Sequence, residues 1–288
     1  MLLSHGEGDS PAKVHCKLGA RCQRGHGASV FIANQMVCPV LVGKPDAAGP
    51  YKVNGNVLGT CFSVGGGFCL TAGHVVSELE ARPNDTTALI AVPQDEAWSA
   101  VPVSGSEILD ADIGVLKYSV AGSNLDDMPV LAWNLENLPV LAPVRTVGYP
   151  YGLYMVDDER SIVARAFSGE VACTLPRFRP PGFRGPAFSV HELSFAAPCG
   201  LSGAPLLTAC DPPTVKGIVI GNSSSEMRVA FETETDADDA DEQSSHTVER
   251  VERLSLGIAV RAVHIASLDS SLLGRTVAEH LRGSNLLA

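Results

Sequence analysis

The sequence predicts an all-β protein of the sandwich or barrel kind, and three observations predict it. From residue 29 onward, apolar runs of about five to seven residues recur, each bounded by Gly, Pro, Asn, Asp or Ser. A 3.6-residue period is absent until residue 261. A stretch rich in Pro, Asn and Asp, AGSNLDDMPVLAWNLENLP at 121–139, parts the runs into two groups and reads as a linker between two similar β-units.

The elements follow in order. Residues 1–27 carry no periodicity and are expected to form an arm. SVFIAN (29–34), VCPVLVG (37–43), GTCFSV (59–64), FCLTA (68–72), TALIAV (87–92) and IGVLKY (113–118) precede the linker. VRTVGYP (144–150), SIVARA (161–166), GEVACTL (169–175), HELSFAA (191–197), APLLTA (204–209), KGIVIG (216–221) and LSLGIAV (254–260) follow it. Each has the length of one strand, and the Gly-rich or polar breaks supply the turns. RAVHIASL (261–268) and RTVAEHL (275–281) are expected to be short helices. The acidic run ETETDADDADE (232–242), continuing to Arg250, interrupts the last pair of strands. Its low hydrophobicity and like charge predict a solvated, disordered loop.

Composition narrows the function classes. At 288 residues the chain holds one large domain or two modest ones. No stretch approaches the roughly 18 uninterrupted apolar residues of a membrane span. The opening MLLSHGEGDSPAK lacks the apolar core, about 7–15 residues long, of a secretion signal, so a cytoplasmic protein is expected. The net charge is −11, seven of the acids lie in the 232–242 run, and −11 less those seven leaves −4 for the rest. Such a body has no general attraction to nucleic acid, which rests on Lys and Arg neutralising phosphates. Without a secretion signal the eight cysteines are expected to be thiols. Cys61 and Cys69 could face each other on a hairpin and are read as buried thiols; Cys199 is read as a packed small hydrophobe. His15, Cys16, Cys22 and His26 match no compact Cys-x-x-Cys pair, so no metal site is expected there.

APCGLSGAPLL (197–207) places Ser202 between two glycines, with a proline close behind. Such a segment is either an ordinary tight turn or one that presents a nucleophile. A serine hydroxyl needs a base, and the base needs an orienting group. In GTCFSVGGGFCLTAGHVV (59–76), His74 follows a strand, and the small Ala72 and Gly73 before it leave space around the ring. A histidine there is also a common structural residue. In LDADIGVLKY (109–118), Asp112 abuts a strand, where a carboxylate needs a partner such as a histidine N–H. Asp112 also reads as a turn residue, and Asp110 is its rival.

Together these segments resemble the chymotrypsin/trypsin-like serine proteases, in particular the bacterial trypsin-like and HtrA-like branch. LTAGHVV resembles the family's histidine motif, DADIGVLK its aspartate motif and GLSGAPLL its serine motif, in the family's chain order. VGYPYG (147–152) resembles the segment that opens its second barrel, and VKGIVIGN (215–222) the strand that lines its cleft. The resemblance spans about residues 28–268. It implies two six-stranded antiparallel β-barrels, here 28–125 and 126–268, followed by a helical tail over 269–288.

The resemblance also implies a mechanism: Ser202 as nucleophile, His74 as base and acid, Asp112 as orienter, and the N–H groups of Gly200 and Ser202 as an oxyanion hole. It places Phe195, Ala196 and Ala197 at the floor of a specificity pocket, with walls from Ile220, Gly221 and Asn222 and from Gly257–Ala259. No acid lies at that floor, so a small or medium apolar residue is expected before the scissile bond. His191, on the strand leading in, is read as exposed or as touching a polar substrate group. Leu201 departs from the acidic or amide residue the family carries before its serine. Activation through that acid cannot operate here, which leaves loop ordering or an activating protein partner. The expected partners are a protein or peptide substrate and such an activator, with no nucleic acid, no membrane and no metal or organic cofactor. The alternative is a protease-like binding or scaffold protein in which catalysis is weak.

Overall fold

A computed structural model describes residues 13–14, 36–46, 49–53, 57–94, 97–118, 128–150, 153–156, 159–235 and 245–287. The SVFIAN run, all but two residues of the arm, and His15, Cys16, Cys22 and His26 lie outside the described residues.

The first unit contains β1 (Lys13–Val14), β2 (Val37–Asp46), β3 (Gly49–Val53), β4 (Gly59–Gly65), β5 (Phe68–Ala72), α1 (Gly73–Glu80), β6 (Thr87–Gln94), β7 (Ala97–Leu109) and β8 (Ile113–Tyr118). Six of the strands pair in the order β7-β6-β2-β4-β5-β8, and β8 pairs back onto β7, which closes an antiparallel barrel. Closure leaves no free sheet edge. The strands are apolar because both faces of much of this barrel are covered. GTCFSV and FCLTA are buried almost throughout.

The second unit contains β9 (Pro143–Gly148), β10 (Leu153–Val156), β11 (Glu159–Ile162), β12 (Arg165–Phe178), β13 (Phe188–Leu193), β14 (Pro205–Thr208), β15 (Val215–Thr235) and β16 (Ser245–Arg261). Its closed barrel runs β12-β13-β16-β15-β14-β9. The architecture is the two-barrel, chymotrypsin-like one. β15 and β16 continue far past the barrel as a paired ribbon, from Asn222↔Gly257 to Thr235↔Ser245, with one shift of register between Arg228 and Ala230. The loop expected over 232–250 is therefore shorter: residues 232–235 and 245–250 are strand. Main-chain pairing sustains a ribbon without an apolar run, so the absence of hydrophobicity misleads there.

The chain ends with α2 (Ala262–Ala266), β17 (Asp269–Ser270), β18 (Arg275–Thr276) and α3 (Val277–Gly283). Thr276 accepts from the Glu279 N–H and Glu279 reaches back to the Thr276 N–H, a capping box that starts α3. This tail returns to the first barrel. Glu107 on β7 accepts from the Ser270 hydroxyl (2.5 Å), from the Ser271 hydroxyl and N–H (2.6 and 2.9 Å) and from the Leu272 N–H (2.9 Å). His280 Nε2 lies 3.0 Å from the Val64 carbonyl oxygen. Between the barrels, Trp133 is fully buried against Phe62, and its backbone N–H donates to the Leu286 carbonyl (2.6 Å).

Candidate active site

The first barrel supplies a histidine and an aspartate. His74 is the second residue of α1, directly after β5, and Asp112 ends the turn between β7 and β8. Two hydrogen bonds join them. His74 Nδ1 lies 2.8 Å from Asp112 Oδ2, and the His74 backbone N–H donates to Asp112 Oδ1 at 2.7 Å. The approach is tight: a Cβ on Gly73 would stand 2.9 Å from Asp112 Oδ1, so only glycine precedes His74 without displacement. Ala111 and Asp112 have φ of 60° and 57°. Left-handed backbone costs an alanine about 1–2 kcal/mol and an aspartate less, and here it coincides with the turn that aims the carboxylate at His74. Asp110 is exposed and makes no hydrogen bond to His74 among the described residues.

The electrostatics follow. Burial pulls the His74 pKa down, but the hydrogen bond and negative charge of Asp112, with the charge of Glu78, outweigh it and leave the pKa raised. The His74 side chain is 41% exposed and that of Asp112 18%. The imidazole thus meets solvent while its orienting carboxylate sits behind it.

The second barrel supplies the serine turn. Gly200 and Gly203 have φ of +90° and +89°. A Cβ on Gly200 would stand 2.5 Å from the Tyr149 carbonyl oxygen, and one on Gly203 2.0 Å from that of Thr60. Both positions require glycine for conformation and for space. Ser202 lies against the first barrel, because its carbonyl accepts from the Thr60 N–H at 2.8 Å. Gly203 meets Ala72, two residues before His74. Among the described residues no hydrogen bond joins the Ser202 hydroxyl to His74.

The amides of this turn alternate. Leu201 N–H donates to the Pro198 carbonyl, Gly203 N–H to Val219 and Ala204 N–H to Leu201, at 3.0, 2.7 and 3.0 Å. The N–H groups of Gly200 and Ser202 have no acceptor among the described residues. Two such amides beside a serine are suited to hold a developing oxyanion. Leu201 is fully buried in the second barrel with Val144, Leu193 and Ala204. An apolar plug thus anchors the turn where the resembling family uses a polar residue.

The other expected residues gather around β15 and β16. Asn222 Oδ1 accepts from the Ala197 N–H at 2.6 Å, and Asn222 Nδ2 donates to the Ala197 carbonyl at 2.7 Å. The Gly257 N–H donates to the Phe195 carbonyl at 2.7 Å. Phe195–Ala197 are thereby tied to the strands carrying Ile220, Gly221 and Asn222, and Phe195 stacks on Phe167. His191 is not exposed. It is 2% accessible and its Nδ1 lies 3.0 Å from the Thr174 hydroxyl. Burial, with the charges of Arg261 and Lys216, pushes its pKa down to about 4. Cys199, expected to be packed, is exposed, although the next residue, Gly200, is buried. Cys38, Cys61 and Cys69 are buried free thiols, and Cys61 and Cys69 are near enough to hydrogen-bond. Among the described residues no group of three His, Cys, Asp or Glu could hold a metal ion.

Sequence reasoning missed Thr60 and the two-point bond of Asn222. The signal available for Thr60 was a hydroxyl inside an apolar strand, GTCFSV, since a buried polar group needs a partner.

Comparison with solved structures finds the same fold. The Rv3671c protease from M. tuberculosis, in its active form, is 18% identical, with 96% of this chain and 94% of that chain covered and a TM-score of 0.52. An inactive form of the same protein, a serine-to-alanine mutant from M. tuberculosis H37Rv, is 17% identical, with 83% and 87% covered and a TM-score of 0.50. The HtrA-type protease AlgW with a decapeptide is 16% identical over 89% of this chain and 66% of that one, with a TM-score of 0.48. No family model and no curated sequence matches the chain. At these identities the likeness is one of fold.

Proposed function

We propose that the chain is a serine endopeptidase working by a Ser-His-Asp triad through an acyl-enzyme. The observation that carries this reading is the meeting of two half-sites. One barrel brings a bonded His74–Asp112 pair; the other brings Ser202, whose own amide and that of Gly200 have no acceptor among the described residues. Ser202 Oγ attacks the scissile carbonyl carbon while His74 takes the hydroxyl proton, and the carbonyl oxygen becomes an oxyanion on the Gly200 and Ser202 N–H groups. Collapse breaks the C–N bond, and His74 returns the proton to the leaving amine. Water then repeats the sequence on the ester and frees the carboxylate. Asp112 holds Nδ1–H and stabilises the imidazolium. None of these steps calls for a metal or cofactor.

The fold supports the reading because solved proteins of this architecture include proteases. The segment Phe195–Ala197, expected to floor the pocket, carries no acid and is tied by Asn222 to the strand of Ile220 and Gly221, which favours a small or medium apolar residue before the scissile bond. Leu201 excludes activation through an acid before the serine and leaves loop ordering or a protein partner.

The missing Ser202–His74 hydrogen bond favours the alternative, a scaffold with weak catalysis, although such bonds are often long in unliganded enzymes. Labelling with a fluorophosphonate separates the two. The parent is expected to be labelled, and Ser202→Ala and His74→Ala are not. An unlabelled parent, pure and in lysate, would sink the protease reading.

A further inference from the structure

We infer that Thr60 is the positioning residue of the oxyanion hole, a role that rests on the protease reading above. Thr60 lies on β4 of the first barrel and is wholly buried. Both residues whose amides lack an acceptor among the described residues are held at their carbonyl ends by this one residue. The Thr60 hydroxyl donates to the Gly200 carbonyl at 2.8 Å, and the Thr60 backbone N–H donates to the Ser202 carbonyl at 2.8 Å.

The direction of the hydroxyl bond is forced. Tyr149 N–H donates to Thr60 Oγ1 at 3.1 Å, and an amide N–H can only donate. The hydroxyl therefore accepts from Tyr149, and its single proton goes to Gly200. The Thr60 carbonyl is fixed in turn by the Thr71 hydroxyl at 2.8 Å. With the Gly200 carbonyl drawn into the first barrel and φ at +90°, its amide stays on the other side, without an acceptor among the described residues. Leu201 N–H, bonded to Pro198, locks the far end of the same peptide. The second barrel supplies the anion-binding amides and the first barrel sets the direction of one of them, so the hole exists only while the barrels are docked.

The consequence is specific to the hydroxyl. Removing it takes from the buried Gly200 carbonyl its hydroxyl donor, and Gly200 is then free to turn about its φ and carry its amide out of place. Transition-state stabilisation falls while ground-state binding, made elsewhere, is kept. Loss of one oxyanion donor typically lowers turnover by about 10²–10³-fold.

The test uses the full chain and a fluorophosphonate. In that reaction Ser202 Oγ bonds to phosphorus, the P–F bond breaks, fluoride leaves with its electron pair, and the serine proton passes to His74. The maximal inactivation rate and the half-saturation concentration are measured for the parent, Thr60→Val, Thr60→Ala and Thr60→Ser, with thermal melting to establish folding. Thr60→Val and Thr60→Ala are expected to lose about 10²-fold in maximal rate, with half-saturation changed less than about threefold. Thr60→Ser, which keeps the hydroxyl, is expected to stay within about threefold of the parent. Folded Val and Ala variants that react at the parent rate overturn the inference, as does a Ser variant as slow as Val. Should neither hydroxyl-free variant fold, the Ser variant decides: parent-like kinetics support the role, and impaired kinetics in a folded Ser variant overturn it. A parent that does not react at all overturns the protease reading itself, so the two failures are distinct.

Discussion

At the scale of the residue, the His74–Asp112 pair sets a pH dependence. Its raised pKa means that the neutral form, the base of the proposed mechanism, is lost as pH falls through a midpoint above the ordinary histidine value of about 6.5. The inactivation rate should rise with pH around that midpoint. Asp112→Asn should shift the midpoint down and lower the rate by about 10⁴-fold. A midpoint at or below 6.5 in the parent, or an unmoved one in the variant, would contradict this assignment. Asn222 carries a second expectation. Asn222→Gly removes the two bonds to Ala197, and the preference for an alanine-type over a phenylalanine-type phosphonate probe should fall by at least about 10-fold. An unchanged preference would remove Asn222 from the specificity site. The segments around His74, Asp112 and Ser202 stood out in the sequence as candidates because a small residue adjoins each of them near a strand, a local signal. Thr60 and Asn222 were not legible in these roles: their partners lie 140 and 25 residues away and are joined only by folding.

At the scale of the element, β7 is held from outside its own barrel. Burial would raise the Glu107 pKa, but the bonds from Ser270, Ser271 and Leu272 push it down to about 2. Glu107→Ala should cost about 2 kcal/mol of stability, read as a fall of roughly 4–8 °C in melting temperature, with the maximal inactivation rate nearly unchanged. An unaltered melting temperature would show that the tail contributes nothing to β7. Strands of barrel length were legible, since each apolar run ends at a breaker. The ribbon was legible in part, for MRVAFETET alternates at period two although its acids pointed to disorder. The capping box, Thr276 with Glu279, was written in the sequence and matches the start of α3.

At the scale of the whole molecule, the buried His191 governs acid stability. Its folded pKa of about 4 lies below the ordinary value near 6.5. As pH falls below 6.5 the unfolded chain takes a proton that the folded protein refuses, so stability drops until about pH 4, by up to about 3 kcal/mol. Denaturant unfolding across that range should show the slope, and His191→Gln should flatten it. A parent with level stability between pH 6.5 and 4 would refute the prediction. The two-barrel plan was legible because the linker is polar and the runs on either side are alike in number and length. The closing of the tail onto the first barrel was not, since serines and leucines at 270–272 carry no mark of their distant carboxylate.

That closure bears on how the protein is made. A ribosome releases the first barrel, with His74 and Asp112, long before residues 270–272, and β7 gains its outer fastening only when those residues emerge. The strand that leads into the turn of Asp112 is thus fastened by residues 163 to 165 positions further along the chain, and a nascent chain that has already displayed His74 and Asp112 still lacks those bonds.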